Sequence, residues 1–130
     1  VLDYLQLMGS DKKAESRQVE VSEISRSLKA IAQELKVPLV ACAQLSRANE
    51  KRGAGSFRPM LSDLRDSGSI EQDADVVMFL HREAYYHRDD PQPDNTAEVI
   101  VAKQRNGPLG TIKLAWLGEY TLFDNLSDEG

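Results

Sequence analysis

Two apolar runs separated by a helical pattern constrain the fold of this chain more than any other feature. The first run covers residues 1–8, and apolar side chains then recur from Val21 to Leu35 at the three- and four-residue spacing of an amphipathic helix. The second run, 37–43, is continuously apolar and partly β-branched, which is typical of a strand buried on both faces of a parallel sheet. A helix that joins two such strands predicts a right-handed crossover and parallel pairing.

The middle of the chain predicts loops, a short helix and another buried strand. Residues 48–59 and 83–95 are rich in charge, glycine or proline, which favours loops. Between them, 64–75 predicts a polar turn with a short helix, and 76–80 (VVMFL) predicts a strand of the same buried type. The order of strands and helices indicates the α/β class.

Two further strands are predicted at 96–102 and 111–117, with a short edge strand at 120–123. The step Asn106-Gly107 predicts a hairpin turn with positive φ. The fold class is therefore α/β, with a mainly parallel sheet flanked by helices and a C-terminal antiparallel strand pair. Because the first residue already lies in a predicted central strand, the chain is expected to form only part of a domain.

The composition excludes several classes of protein. The chain has 130 residues, 41% hydrophobic and 28% charged, which suits one globular domain or a piece of one. It holds no apolar run of about 18 residues, as a membrane helix requires, and its single cysteine, Cys42, favours a cytoplasmic setting. His81 and His87 lack further ligands at metal-binding spacing, so zinc is not predicted. The net charge of −5 argues against a free-standing DNA-binding module.

Polar residues accompany the first two predicted strands. Asp3 lies in an apolar run, where burial of an unpaired carboxylate is costly. It is either a strand-end acid that caps a loop or a Walker B acid that holds Mg²⁺ through a water beside bound phosphates. Gln44 directly follows the second strand, where ligands bind in open α/β sheets, so it is either a γ-phosphate sensor or a solvated loop amide.

Two other places offer positive charge or backbone N–H groups. Arg65 and Gly68 lie in the turn before the predicted short helix, where exposed N–H groups can hold phosphates without a basic surface. Lys103 and Arg105 lie at the tip between the last two long strands, and strand alternation predicts that they face the same side. Such a pair can clamp a phosphate, and an arginine from a neighbouring subunit would act as an arginine finger. Each feature alone also fits a solvated loop or an ordinary basic hairpin.

Taken together, several strings resemble the C-terminal, RecA-like ATPase domain of the DnaB family of replicative DNA helicases. The resemblance covers nearly the whole chain, follows the family's order and includes long, specific strings. The strings that carry it are LDYLQL (2–7), EVSEISRSLK (20–29), QLSR (44–47), SDLR (62–65), SGSIEQDAD (67–75) and KQRNG (103–107).

The resemblance implies nucleotide-binding and catalytic roles for four residues. Asp3 matches the Walker B acid that organises Mg²⁺, through a water, beside ATP, and Gln44 matches the residue that senses the γ-phosphate. Lys103 and Arg105 match the pair that reaches into the ATP site of the neighbouring subunit. ATP and Mg²⁺ are therefore the implied cofactors.

The resemblance also implies contact with single-stranded DNA. Arg65, Asp66 and Gly68 match the loop that lines the central channel of the ring and contacts the DNA backbone. Asp66 departs from the family pattern, which has a glutamate there, so the acid at this position reaches less far.

For the whole protein, the resemblance implies a homo-hexameric ring that translocates on single-stranded DNA and uses ATP to unwind the duplex at the replication fork. Primase and a helicase loader are the implied partners in the primosome, with a cytoplasmic location and no membrane association. The Gly-rich, Lys-Ser/Thr phosphate loop does not occur in the 130 residues. Residues 1–130 are therefore expected to be the C-terminal portion of the ATPase domain without its Walker A half, and to be inactive alone.

Two other functions stay open. Another RecA-like ATPase, such as a recombinase or a primase-helicase, would share the acid, the glutamine and the trans cations but would lack the string at 67–75. A catalytically inactive module for assembly or partner binding is the second alternative, because the chain carries no phosphate-binding loop.

Overall fold

The computed structural model describes residues 1–3, 17–45, 57–67, 69–92 and 94–127. The chain divides into two compact units. The first comprises Val1–Lys51 with Leu61–Asp75, and the second comprises Arg52–Met60 with Val76–Gly130. Within the described ranges, no helix combines the length and the apolar character that crossing a membrane requires.

The first unit is built on helix α1, Arg17–Leu35. The predicted helix is confirmed, and it begins before Val21, the first residue of the apolar pattern. Val21 and Ile24 are buried on its packed side, as the three-residue spacing predicts. Near the C-terminal end of α1 the apolar side is exposed to solvent, and Ile31 is 44% exposed in this chain.

A left-handed residue closes α1. Lys36 has a φ of 53°, and the Val37 N–H donates to the Ala32 carbonyl oxygen at 3.1 Å. The Lys36 N–H donates to the Gln33 carbonyl oxygen at 3.4 Å, which completes the pair of hydrogen bonds typical of a helix that ends in a left-handed residue. Pro38 follows and cannot continue a helix, so the chain leaves α1 in extended form.

The two apolar runs that flank α1 meet in a parallel bridge between Leu2 and Ala41. The Leu2 N–H donates to the Val40 carbonyl oxygen at 2.8 Å. The predicted parallel pairing around a crossover helix is thus confirmed at this bridge, while residues 4–8 lie outside the described part of the chain. The predicted burial of the second run on both faces is wrong for this chain, because Val37 and Val40 are 47% and 52% exposed.

Two short helices complete the first unit. A 3-10 helix spans Leu61–Ser67, and helix α2 spans Ile70–Asp73, which confirms the predicted turn and short helix. Leu64 and Asp63 are buried, so the 3-10 helix is anchored by both an apolar and a polar side chain. Most of the predicted loop 48–59 lies outside the described residues.

The second unit is a four-stranded antiparallel sheet with the order β1-β2-β3-β4. Its strands are β1 (Val76–His81), β2 (Thr96–Gln104), β3 (Gly110–Leu117) and β4 (Leu122–Asn125). All four predicted strands of this part are confirmed, and the predicted antiparallel pair extends to the strands on either side of it. Within the described residues, the parallel part of the predicted sheet is represented by the bridge in the first unit.

Strand β1 has one buried and one exposed face, although its sequence is apolar throughout. Val77, Phe79 and His81 are buried, whereas Met78 and Leu80 are each 58% exposed. The prediction of a strand buried on both faces is therefore wrong for this chain. An antiparallel sheet needs cover on one face only, and in β1 one face is covered.

Two segments lie against the buried face of the sheet. One is 57–60, from which Arg58 donates to Glu98 Oε2 at 2.5 Å and to Thr111 Oγ1 at 3.1 Å. The other is a 3-10 helix, Glu83–Tyr86, within the connection that was predicted to be a loop. Arg58 therefore ties β2 to β3 from above the sheet.

The connection between β2 and β3 differs from the predicted turn. Neither Asn106 nor Gly107 has a positive φ. The connection covers 105–109, which is longer than the two-residue hairpin loops that require positive φ. The expected left-handed turn is therefore replaced by a wider one.

Candidate nucleotide and nucleic-acid site

Asp3 and Gln44 lie on the same side of the parallel pairing. Asp3 directly follows Leu2, and Gln44 lies three residues after Ala41, the bridge partner of Leu2. Because the two segments run in the same direction, both residues follow the bridge, and α/β sheets bind ligands on the side toward which their parallel strands run. Both side chains are exposed and can reach a ligand.

The surroundings of Asp3 fit Mg²⁺ better than a metal held by protein alone. Among the described residues, no group of three or more His, Cys, Asp and Glu side chains could hold a metal ion. Mg²⁺ usually keeps several waters and takes its remaining ligands from one or two carboxylates and the phosphates of a substrate. A single exposed carboxylate at Asp3 suits that mode of binding.

A β-bulge sets the position of Lys103 in β2. Val77 pairs with Lys103 while Met78 pairs with Val101, so Ala102 is an extra residue in the strand. Without the bulge, Lys103 would pair with Val76 in place of Val77, and its side chain would face the other side of the sheet. With the bulge, Lys103 is the cross-strand partner of Val77; Lys103 is half-buried and Val77 is buried.

Arg105 lies just beyond the strand that carries Lys103. Strand β2 ends at Gln104, and Arg105 is an exposed residue of the turn. Side chains alternate between the two faces only within a strand. Alternation therefore indicates the orientation of Lys103 and does not indicate that of Arg105. Neither residue is in the packed interior, and their roles stay predictions.

Two of the three predicted DNA-contacting residues lie in the 3-10 helix of the first unit. Arg65 and Asp66 are part of the 3-10 helix Leu61–Ser67, and Gly68 lies outside the described residues. The N–H of the next residue, Ser69, donates to Ser22 Oγ on α1 at 3.1 Å. This N–H group is therefore engaged within the protein, unlike the exposed N–H groups that were predicted near the start of α2.

Helix α1 holds this segment through polar side chains, to which the sequence analysis gave no role. Ser25 Oγ and Ser69 Oγ both donate to Asp73 Oδ2, each at 2.8 Å. Nearby, Lys29 Nζ lies 2.6 Å from Asp75 Oδ2 in an ion pair. The signal that would have found these residues is the spacing of Ser25 and Lys29, which places them one turn apart on one side of α1.

A carboxylate between two imidazoles stabilises the start of the 3-10 helix in the second unit. Glu83 Oε2 lies 2.8 Å from His81 Nε2, and Glu83 Oε1 lies 3.0 Å from His87 Nε2. Partial burial raises the pKa of Glu83, but the hydrogen bonds and charges of His81 and His87 lower it by more, so this pKa lies below its ordinary value of 4.5.

Comparison with known proteins identifies the family. The family model described as DnaB-like helicase C terminal domain matches residues 1–125. The replicative DNA helicase DnaB of Geobacillus stearothermophilus is 59% identical over 127 residues, which are 97% of this chain and 27% of that protein. The replicative DNA helicase DnaC of Bacillus subtilis (strain 168) is 56% identical over 127 residues, again 97% of this chain and 27% of that protein. The chain thus spans about a quarter of the length of these curated relatives.

Solved structures give the same assignment. One solved ATPase domain superposes with a TM-score of 0.85 at 50% identity, over 96% of this chain and 43% of that one. A structure of a DnaB-like replicative helicase and its interactions with primase superposes with a TM-score of 0.86 at 50% identity, over 96% of this chain and 29% of that one. The fold is therefore that of part of a RecA-like ATPase domain. The chain belongs to the family of DnaB-like helicase C-terminal domains.

Proposed function

We propose that the whole protein is an ATP-dependent DNA helicase that works as a hexameric ring on single-stranded DNA at the replication fork. Membership of the DnaB-like family supports this class of reaction. The observation that supports the proposal most is the parallel bridge between Leu2 and Ala41, because an acid and an amide follow the two bridged segments, and α/β sheets bind ligands beyond the carboxyl ends of their strands. The activity is proposed for the whole protein and not for this chain alone.

The two alternative functions are less well supported. The replicative helicases named above are similar to this chain over nearly its full length, which includes 67–75, the string that other RecA-like ATPases are expected to lack. A catalytically inactive assembly module would not need an acid and an amide together at the carboxyl ends of two parallel segments. ATPase and unwinding assays of the whole protein separate these functions.

Asp3 and Gln44 act on ATP bound to their own subunit. Asp3 would hold Mg²⁺ through a water, and the metal would supply charge neutralisation on the phosphates when bound. The Gln44 carboxamide donates a hydrogen bond to a γ-phosphate oxygen. Because that acceptor leaves after hydrolysis, the position of Gln44 depends on the state of the nucleotide.

Lys103 and Arg105 act on the ATP of the neighbouring subunit. Both lie at the turn end of β2, and Arg105 is exposed there. A guanidinium group offers several N–H donors in a fixed plane, which suits the charge that spreads over phosphoryl oxygens in the transition state. Hydrolysis would remove the γ-phosphate from this contact and loosen the subunit interface.

Arg65, Asp66 and Gly68 contact the backbone of single-stranded DNA. Contacts with phosphate carry no sequence information, so movement along the strand would not depend on sequence. A local contact of this kind is compatible with the net charge of −5, because the attraction comes from a few groups and not from the whole surface. Primase and a helicase loader are the proposed protein partners in a cytoplasmic primosome.

The role of Arg105 can be tested in the whole protein with Arg105→Ala. We expect DNA-stimulated ATP hydrolysis to fall by about a thousandfold, the usual effect of removing an arginine finger, while the hexamer still assembles. Lys113→Ala, which removes an exposed cation from β3, serves as the matched control and should keep normal activity. A hexameric Arg105→Ala protein with full DNA-stimulated hydrolysis would contradict the assignment.

A further inference from the structure

Every polar group of Ser69 is hydrogen-bonded within the first unit. Its N–H donates to Ser22 Oγ at 3.1 Å, and its hydroxyl donates to Asp73 Oδ2 at 2.8 Å. Its carbonyl oxygen accepts from the N–H groups of Gln72 and Asp73 at 3.0 and 2.9 Å. Ser69 is the residue directly after Gly68, so the chain is fixed immediately beyond the proposed DNA-contacting residues.

The hydroxyl of Ser69 does not perform the usual task of a serine at this position. Ser69 precedes the first turn of α2, where a serine side chain commonly accepts from a backbone N–H of the helix. No such side-chain cap is present at Ser69. The hydroxyl instead donates to the side chain of Asp73, which points to a role for that contact beyond helix formation.

Asp73 joins the segment to α1. The same oxygen, Oδ2, accepts from Ser69 and from Ser25, each at 2.8 Å. Ser25 is 8% exposed, so its hydroxyl lies in the packed side of α1 and offers a fixed point of attachment. Because hydrogen bonds to a charged group are stronger than those between neutral groups, removal of this carboxylate releases the Ser69 hydroxyl from a strong contact and removes its link to Ser25. The bond from the Ser69 N–H to Ser22 Oγ then remains as the direct contact of Ser69 with α1 among the hydrogen bonds described above.

We propose that Asp73 is a positioning residue for DNA binding, which holds the segment after Gly68 against α1 so that the DNA-contacting residues are presented in one arrangement. A segment already fixed in its bound form loses less conformational entropy when it binds. This inference rests on the proposed function, because it assumes that Arg65, Asp66 and Gly68 contact DNA. In this proposal Asp73 acts through Ser69 and does not contact DNA or nucleotide itself.

The test uses the whole protein and a single-stranded oligothymidylate. ATP hydrolysis is measured against oligonucleotide concentration, which gives a half-saturating concentration and a maximal rate. For Asp73→Ala we expect the half-saturating concentration to rise by about tenfold, because the substitution removes both hydroxyl hydrogen bonds to the charged carboxylate. The maximal rate should change little, since saturating DNA orders the segment in the variant as well.

Two further substitutions distinguish positioning from a general loss of packing. Asp73→Asn keeps a carbonyl oxygen that can accept from both hydroxyls, so it should restore most of the affinity. Asp75→Ala removes the ion pair with Lys29, in which the side chains are 53% and 27% exposed, and should leave the half-saturating concentration unchanged. An unchanged half-saturating concentration in Asp73→Ala, an Asp73→Asn protein as weak as Asp73→Ala, or an equal effect of Asp75→Ala would each overturn the proposal.

If Asp73→Ala fails to assemble, Ser69→Ala answers the same question with a smaller change. It removes one of the two hydroxyl donors to Asp73 and should raise the half-saturating concentration by a few-fold; no rise would overturn the proposal. Arg65→Ala in the same assay separates this inference from the proposed function. If Arg65→Ala leaves DNA affinity unchanged, the assignment of the DNA-contacting residues fails; if only the Asp73 and Ser69 variants have no effect, the positioning role alone fails.

Discussion

Single carboxylates join distant parts of the chain in both units. Asp73 accepts from Ser25 and Ser69 in the first unit, and Glu98 accepts from Arg58 in the second. Contacts that are partly open to solvent stabilise a fold by no more than about 1 kcal/mol each. Their larger effect is on position, because each one holds a segment against an element that is distant along the chain.

Glu83 gives the second unit a contribution to stability that depends on pH. Because its pKa is lowered in the folded chain, the contribution is fully present above the ordinary value of 4.5 and is lost as the pH falls through the lower, folded-state value. We expect Glu83→Gln to lower the melting temperature of the protein at neutral pH, with a change in stability below about 1 kcal/mol because Glu83 is half exposed. Melting curves of both proteins across the acidic range measure the difference.

The difference between wild type and Glu83→Gln should shrink as the pH falls below 4.5. Glu119→Gln, at an exposed position in the turn after β3, is the control and should show no such difference. A Glu83→Gln protein whose melting temperature stays below that of the wild type by the same amount at every pH would mean that the histidine contacts do not act through charge.

At the level of helices and strands, the sequence predicted elements whose apolar residues are regularly spaced or fall in a short run. Helix α1 is of the first kind, and strands β1 and β2 are of the second. The first turn of α1 was missed because Arg17 and Gln18 carry no apolar signal. The alternating burial of β1 was missed because every residue of VVMFL is apolar, so the sequence cannot indicate which face is covered.

The candidate site was predictable to the extent that it depends on chain direction. A helix between two apolar runs implies parallel strands, and parallel strands bring Asp3 and Gln44 to one side. The bulge at Ala102 was not predictable, because it arises from the register between two strands and leaves no mark in either sequence. The role of Asp73 was missed for a similar reason, since its partner Ser25 is 48 residues away along the chain.

The end of α1 allows a test of its capping. Lys36 adopts a left-handed conformation that costs a residue with a Cβ about 1 kcal/mol and costs glycine little. We expect Lys36→Gly to slow the hydrogen exchange of the Val37 amide, which donates across the cap to Ala32. Lys36→Ala keeps the Cβ and should leave this exchange rate unchanged; equal rates in the glycine and alanine variants would rule out strain at this position.

The whole protein is expected to divide its ATP site between neighbouring subunits. One subunit would supply Asp3 and Gln44, and the next would supply Lys103 and Arg105. Interfaces of this head-to-tail kind close into rings when the rotation between subunits allows it. Each ATP site would then contain residues from two copies of this chain. A substitution in one subunit would therefore leave the residues that its neighbour contributes to the same site intact.

Mixing two inactive variants of the whole protein tests this division most directly. Gln44→Ala and Arg105→Ala hexamers should each hydrolyse ATP very slowly. When the two are dissociated and reassembled in equal amounts, up to about a quarter of the sites should pair an intact Gln44 with an intact Arg105, because head-to-tail assembly is random. We predict that DNA-stimulated hydrolysis returns in the mixed rings in that proportion. Mixed rings that assemble normally and stay as inactive as either parent would contradict a site shared between subunits.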